Sequence, residues 1–259
     1  MSSESNDIRT DASLVVEVAA LAIEEEPSSS LETVISISAG EGLVPVLSVK
    51  VDSPQSRFSR AQIADWEGIS MKMFEDAGKM FARYGPAFER GDFTARSHFV
   101  QKFGWAVPDL EACENIVSKT TGDIISIGCG LCVYEFGMLP FLAKQDRNIA
   151  CTDIKHQPGT FMSMKRMPSL EAVKTLGSEP EVETCFFSWP TYNDPHTVRA
   201  LKARSEPFPY VVYIGEDDGC TGDGELHEYL RTMYSCIEDI VIPNWMDIHD
   251  SVRIFKRKE

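Results

Sequence analysis

The chain has 259 residues, is 43% hydrophobic and carries a formal net charge of −15. That much apolar residue supports a real core and one main domain, while so acidic a surface repels phosphate backbones and argues against a nucleic-acid partner. Seven cysteines without a regular framework, no basic region ahead of an apolar core at the start, and an apolar stretch at 14–23 that is short and interrupted by Glu17 lead to the expectation of an intracellular protein, cytoplasmic or nuclear, without membrane association.

Residues 1–30 are rich in Ser, Glu and Asp and read as a mobile tail, with one short helix at 12–25. Residues 31–52 alternate weakly, a pattern that suggests a hairpin. From 59 to 89 the apolar residues Ile63, Trp66, Ile69, Met73 and Phe74 recur at helical steps, followed by Met80, Phe81 and Tyr84. Gly85-Pro86 is expected to break or kink that helix. The segment is expected to cover the sheet or the mouth of its ligand site.

From Phe99 onward strands and helices alternate. The pattern predicts a helix over 109–118 after Pro108, a strand over 124–127, a helix over 133–144 with a bend at Pro140, and a strand over 149–152. Strands follow near 170–173 and over 184–188. Asp194-Pro195 opens a helix, with Asp as cap and Pro at the first helical position. A strand over 210–214, a helix over 225–237 and a closing hairpin from 240–242 and 252–255 complete the chain. The central strands are unbroken apolar runs, as burial on both faces requires. Their alternation with helices predicts an α/β fold: a Rossmann-like, doubly wound, mostly parallel sheet with a C-terminal antiparallel hairpin and an N-terminal helical extension. The organisation expected is a tail at 1–30, an extension at 31–95 packing on the core, and the main domain at 96–259.

The most informative stretch runs from Asp123 to Asp153. An apolar strand enters the turn Ser126-Ile127-Gly128-Cys129-Gly130-Leu131-Cys132, a helix follows, and a second strand ends on Asp153. Glycines after a strand let a ligand chain approach the backbone, and the next helix offers its N-terminal amides. A carboxylate at the end of the second strand can accept both hydroxyls of a ribose. On these residues the chain resembles the class I S-adenosylmethionine-dependent methyltransferases, whose first motif is acidic-x-Gly-x-Gly-x-Gly. The resemblance implies S-adenosyl-L-methionine as cofactor, lying along Gly128, Cys129 and Gly130, with its ribose on Asp153. It puts Ser126 where the family has an acid that organises the methionine end, and Cys132 where it has a third glycine.

A second strand of the series runs into Ser188-Trp189-Pro190-Thr191-Tyr192. Family members that methylate exocyclic amines carry Asn/Asp-Pro-Pro-aromatic at this place. Here Trp189 and Thr191 replace the amide and one proline, so base methylation is not implied. The resemblance makes Trp189, Pro190 and Tyr192 the residues that shape the methyl-transfer mouth, where an aromatic face attracts a cation. Trp189-Pro190 also reads as a rigid turn with an aromatic plug over the core. Together with Phe103-Gly104-Trp105-Ala106-Val107-Pro108 and with Tyr213-Ile214-Gly215-Glu216 followed by Gly219-Cys220-Thr221-Gly222-Asp223, these residues are similar to a poorly characterised methyltransferase-like branch, over about residues 96–255.

Glu216, nearest the sheet in that acidic loop, is a candidate general base or substrate anchor, and Asp223 a helix cap. Asp217 and Asp218 read as solvated. A calcium site lacks its helix-loop-helix context. Cys129, Cys132, Cys151 and Cys220 can be drawn to neighbouring strand ends as a zinc or redox cluster, but small buried thiols are the commoner outcome, and no metal is expected. The five histidines are dispersed. Hydrolase and phosphate-loop motifs are absent from the sequence. The expected function is methyl transfer to a small-molecule or protein nucleophile. Its competitors are an inactive methyltransferase-like scaffold, and a nicotinamide-dependent oxidoreductase, which needs a glycine where Val133 stands.

Overall fold

The structure, a computed structural model, describes residues 32–35, 47–50, 60–217 and 219–259. The expected tail at 1–30 with its short helix, and Asp218, lie outside the described residues. Strands β1 (Glu32–Ile35) and β2 (Leu47–Lys50) pair antiparallel, which is the hairpin expected over 31–52.

The main sheet has seven strands: β3 (Asp123–Ile127), β4 (Ile149–Asp153), β5 (Lys165–Arg166), β6 (Val182–Ser188), β7 (Tyr210–Gly215), β8 (Tyr234–Val241) and β9 (Ser251–Arg257). Their order across the sheet is β5-β4-β3-β6-β7-β9-β8. The five from β5 to β7 run parallel, and β9 is antiparallel to both β7 and β8. Successive residues of the central strands face opposite layers. Ile124, Phe186 and Val212 pack under α1 (Arg60–Glu89), α2 (Phe93–Phe103), α3 (Leu110–Lys119) and α4 (Val133–Lys144). Ile125, Phe187 and Val211 pack under α5 (Ser169–Thr175), α6 (His196–Lys202) and α7 (Gly224–Met233). Two apolar faces need two layers of cover, so the expected doubly wound, mostly parallel sheet with a C-terminal antiparallel hairpin is what forms.

Helix α4 is buried nearly all round because it lies between the sheet and α1. Gly137 makes that approach possible: a Cβ there would stand 2.5 Å from the Phe74 ring and 2.7 Å from Cys113 Sγ. Gly137→Ala is therefore expected to destabilise the fold by about 1–3 kcal/mol through overpacking, although alanine is the better helix former. Urea unfolding measures it, and a stabilised variant would contradict the packing. At the other end of the cover, Trp245 gathers the rings of Phe81, Phe88 and Phe99 at 5.0, 5.4 and 5.3 Å, all edge-on. These contacts tie α1 and α2 to the segment between β8 and β9.

Several local expectations change. Helix α1 does not stop at Gly85-Pro86 but continues to Glu89. The proline does remove one intrahelical N–H bond, but it stands in the last turn, so little helix follows the interruption. Residues 170–173 are not a strand but part of α5, entered from Pro168 in extended conformation (φ −64°, ψ 148°); so short an apolar run fits either element. Helix α2, absent from the sequence reading, is capped by Asp92, whose side chain accepts from Thr94 N. Helix α7 ends at Met233 and runs straight into β8 at Tyr234, so the predicted extension to 237 is strand.

Candidate functional site

The chain leaves β3 through α4 toward β4, and leaves β6 through α6 toward β7, on the opposite side and in the opposite layer. Between the C-terminal ends of β3 and β6 the two connections part, and open α/β sheets place their ligand crevice at such a switch point. A cleft of about 530 Å³ lies there. Gly128, Cys129 and Gly130 line its floor, Asp153 and Glu135 contribute carboxylates, and Trp105, Trp189, Pro190 and His196 reach its rim.

The floor is held by backbone geometry. Gly128 and Gly130 have φ of +67° and +54°, and a Cβ on Gly128 would meet nothing within 4 Å. These conformations favour glycine, and the space beside them belongs to the cleft. Cys129 N donates to Thr152 O at 3.1 Å and Cys132 N to Cys129 O at 2.8 Å, which binds the turn to β4 and to the start of α4. Asp153 Oδ2 accepts from Gly130 N at 3.0 Å and Oδ1 from Lys155 N at 2.9 Å. Each oxygen keeps lone-pair capacity for a second donor.

Ser126 is fully buried beneath this floor and is absent from the cleft lining. Its hydroxyl bonds Glu135 Oε1 at 2.6 Å, and Glu135, in the first turn of α4 and 2% exposed, lines the cleft. The strand-end position that carries an acid in the resembling family is thus a serine that holds a carboxylate from the neighbouring helix. The sequence reading missed Glu135. A lone carboxylate within the apolar run Val133–Leu142 was the available clue, since such a residue is almost never buried without a partner.

Burial, with the charge of Cys129 nearby, raises the Glu135 carboxyl from 4.5 to about 8. Between those values the native chain binds more protons than the unfolded one, so this group makes stability fall as pH rises through the window. Glu135→Gln is expected to remove that slope. By urea unfolding at about pH 9 the variant should exceed wild type by on the order of a few kcal/mol; equal slopes would contradict the burial of an ionisable group here.

At the rim, Trp189 adopts φ +52°, which is rare for a bulky residue. Three contacts fix it: its N–H donates to Ile214 O at 2.8 Å, its indole Nε1 to Asp250 Oδ2 at 2.8 Å, and its ring stacks on Trp105 at 5.3 Å. The Arg96 guanidinium lies 5.3 and 5.2 Å from the two ring centres. Asp250 is pushed up to about 6 by burial, against the pull of the Trp189 bond. Trp105 stays 51% exposed and lines the cleft.

The remaining sequence candidates fall elsewhere. Tyr192 is 58% exposed and outside the cleft lining. Glu216 is also outside it. Its Oε2 accepts from Cys220 N at 2.8 Å and its Oε1 from His249 N at 2.9 Å. Burial pushes its carboxyl up, but these bonds outweigh it and leave it below the usual range. Glu216 therefore closes the loop after β7, and that loop in turn grips the Trp189-Pro190 turn through Gly222 N to Pro190 O at 2.8 Å. Asp223 caps α7 through Leu226 N, as expected. In the cleft wall stands a pair that the sequence reading had not joined: His196 Nδ1 bonds Asp194 Oδ1, whose carboxylate also accepts from His196 N at 2.9 Å. The Asp-Pro-His spacing was the clue, read only as a helix cap.

Cys220 bonds Glu216 and does not join the thiols of Cys129, Cys132 and Cys151. Among the described residues no group of three or more His, Cys, Asp or Glu could hold a metal ion, and no helix is long and apolar enough to cross a membrane.

No family model matches the chain, and neither does any curated protein. Solved structures similar to it include TrmK of M. capricolum in complex with S-adenosyl-homocysteine, at 13% identity over 56% of this chain and 68% of that one, TM-score 0.39. Magnesium protoporphyrin IX methyltransferase (ChlM) of Synechocystis PCC 6803 with bound SAM aligns at 10% identity over 64% of this chain and 85% of that one, TM-score 0.41. The CurJ carbon methyltransferase aligns at 11% identity over 81% of this chain and 73% of that one, TM-score 0.43. The Rossmann-like character of this chain is established by its own strand order, strand directions and two helical layers.

Proposed function

We propose that this chain is an S-adenosylmethionine-dependent methyltransferase acting on a small-molecule or protein nucleophile. The observation that carries this reading is the Gly128–Gly130 turn. The space a side chain would take is open, and carboxylates from β4 and from α4 line the same cleft. The donor set suits a zwitterionic, cationic nucleoside. Asp153 has capacity for ribose hydroxyls, and Glu135, positioned by Ser126 and with its pKa raised by burial, for an ammonium group whose positive charge would draw it back to the carboxylate form. When bound, the cofactor supplies an electrophilic methyl group on a positively charged sulfur.

The protein's part is alignment and exclusion of water. Gly128 and Gly130 admit a ligand chain against the backbone. Trp189, held by Asp250 and stacked on Trp105, fixes the aromatic rim of the cleft in place. Pro190 stiffens that rim. His196 is the base: with Asp194 accepting from Nδ1, Nε2 is left to take a proton from the attacking group. Glu216 holds the loop that positions Trp189.

The test is transfer of labelled methyl from S-adenosylmethionine into fractionated small molecules, proteins and RNA. RNA is included because a net charge of −15 says nothing of the cleft itself, where Lys155 and His196 stand. Label appearing in the small-molecule or the protein fraction with wild type and not with Asp153→Ala is the expected result, and label in the RNA fraction would overturn the substrate class. Nucleoside binding without transfer to any fraction would favour a scaffold.

A further inference from the structure

We propose that Cys129 and Cys132 are a peroxide-reactive redox pair built into the floor of the cleft. Cys129 is 8% exposed and lines the cleft, whereas Cys132 and Cys151 are buried behind it at 0% and 4%. An oxidant in the cleft therefore meets Cys129 first. The 2.8 Å bond from Cys132 N to Cys129 O closes a four-residue turn, which holds the two Cα atoms within about 7 Å, against the roughly 4.4–6.8 Å that disulfides span. The neighbouring thiols of Cys132 and Cys151 hold Cys129 below the usual thiol range, while Cys129 pushes both of them up. One thiolate beside a protonated neighbour is the arrangement that sulfur exchange needs.

The chemistry balances with a hydroperoxide as oxidant. The Cys129 thiolate attacks the peroxide; an S–O bond forms, the O–O bond breaks, and the departing oxygen takes a proton to become an alcohol or water. Sulfur is oxidised by two electrons to a sulfenic acid and the peroxide is reduced. Cys132 sulfur then displaces that oxygen. An S–S bond forms, the S–O bond breaks, and the hydroxide leaves with the thiol proton as water. The bridge would clamp Cys129 to Cys132 across Gly130, whose amide donates to Asp153 at 3.0 Å. Given the nucleoside reading above, on which this consequence alone rests, oxidation displaces that amide and weakens nucleoside binding.

Exposure alone orders the thiols differently, because Cys220 and Cys236 are the exposed ones. Burial and the neighbouring Glu216 raise Cys220 to about 11, and burial raises Cys236, so both are protonated and slow at neutral pH.

The experiment treats the reduced full chain with limiting hydrogen peroxide, alkylates what remains and maps the peptides. The expected product is a Cys129–Cys132 bridge formed before Cys220 or Cys236 is oxidised, and in Cys132→Ser a Cys129 sulfenic acid trapped by dimedone. Oxidation confined to Cys220 and Cys236, or a bridge from Cys129 to Cys151, overturns the pair. S-adenosylhomocysteine affinity should fall at least about ten-fold on bridging, or 1.4 kcal/mol, and return with dithiothreitol; unchanged affinity overturns the gating. A bridge in a chain whose reduced form binds no S-adenosylhomocysteine sinks the nucleoside reading and leaves the redox pair standing.

Discussion

Asp153→Ala is expected to weaken S-adenosylhomocysteine binding about 100-fold or more, because each charge-assisted hydrogen bond lost is worth about 1.5–3 kcal/mol and a ribose offers two hydroxyls to this carboxylate. Part of the loss comes through the floor itself, since Asp153 also accepts from Gly130 N and Lys155 N. Asp153→Asn separates the contributions. It keeps one acceptor oxygen, but turns an NH2 toward one of those amides, so its affinity should fall between wild type and the alanine variant. Calorimetric titration reads all three, with thermal unfolding to show that each is folded. An alanine variant binding like wild type would remove Asp153 from the nucleoside site.

The second large effect is on rate. His196→Ala is expected to lower methyl transfer about 10²–10⁴-fold, the usual contribution of a positioned base, with S-adenosylhomocysteine affinity unchanged. The side chain is 73% exposed and lines the cleft wall, so its loss should leave the fold intact. Asp194→Asn should fall in the same direction by a smaller factor, because the amide no longer fixes the imidazole tautomer. Labelled methyl transfer at saturating cofactor provides the readout. A variant as fast as wild type would show that the acceptor loses its proton without His196.

The strand–turn–helix–strand unit over residues 123–153 was legible in the sequence because its physics is local. Strands buried on both faces must be apolar runs, and a turn that a ligand approaches must be free of side chains. Helix α4 matched its predicted limits, 133–144, for the same reason. Helix α2 was not legible. Its buried residues, Ala95, Phe99 and Phe103, are too few to give a clear period among Arg96, His98, Gln101 and Lys102. Leu170 to Val173 was misread because four residues do not separate a strand from a helical turn.

The site divides along the same line. Gly128, Gly130, Asp153, Trp189 and Pro190 were visible as motif positions, and the structure brings them to one cleft. What decides the roles of Ser126, Glu135 and Glu216 is which donor each oxygen meets. That depends on how α4 enters the turn and how the β7 loop folds on itself. The Trp105–Trp189 stack and the Asp250 bond join segments far apart in the chain, which no local pattern encodes.

The most direct measurement is a crystal structure of the full chain grown with S-adenosylhomocysteine. The expected result is a nucleoside over the turn at 128–130, its ribose hydroxyls on Asp153 and its ammonium group toward Glu135. A well-ordered chain with that cleft empty at saturating ligand, or with the nucleoside held at another surface, would contradict the methyltransferase reading.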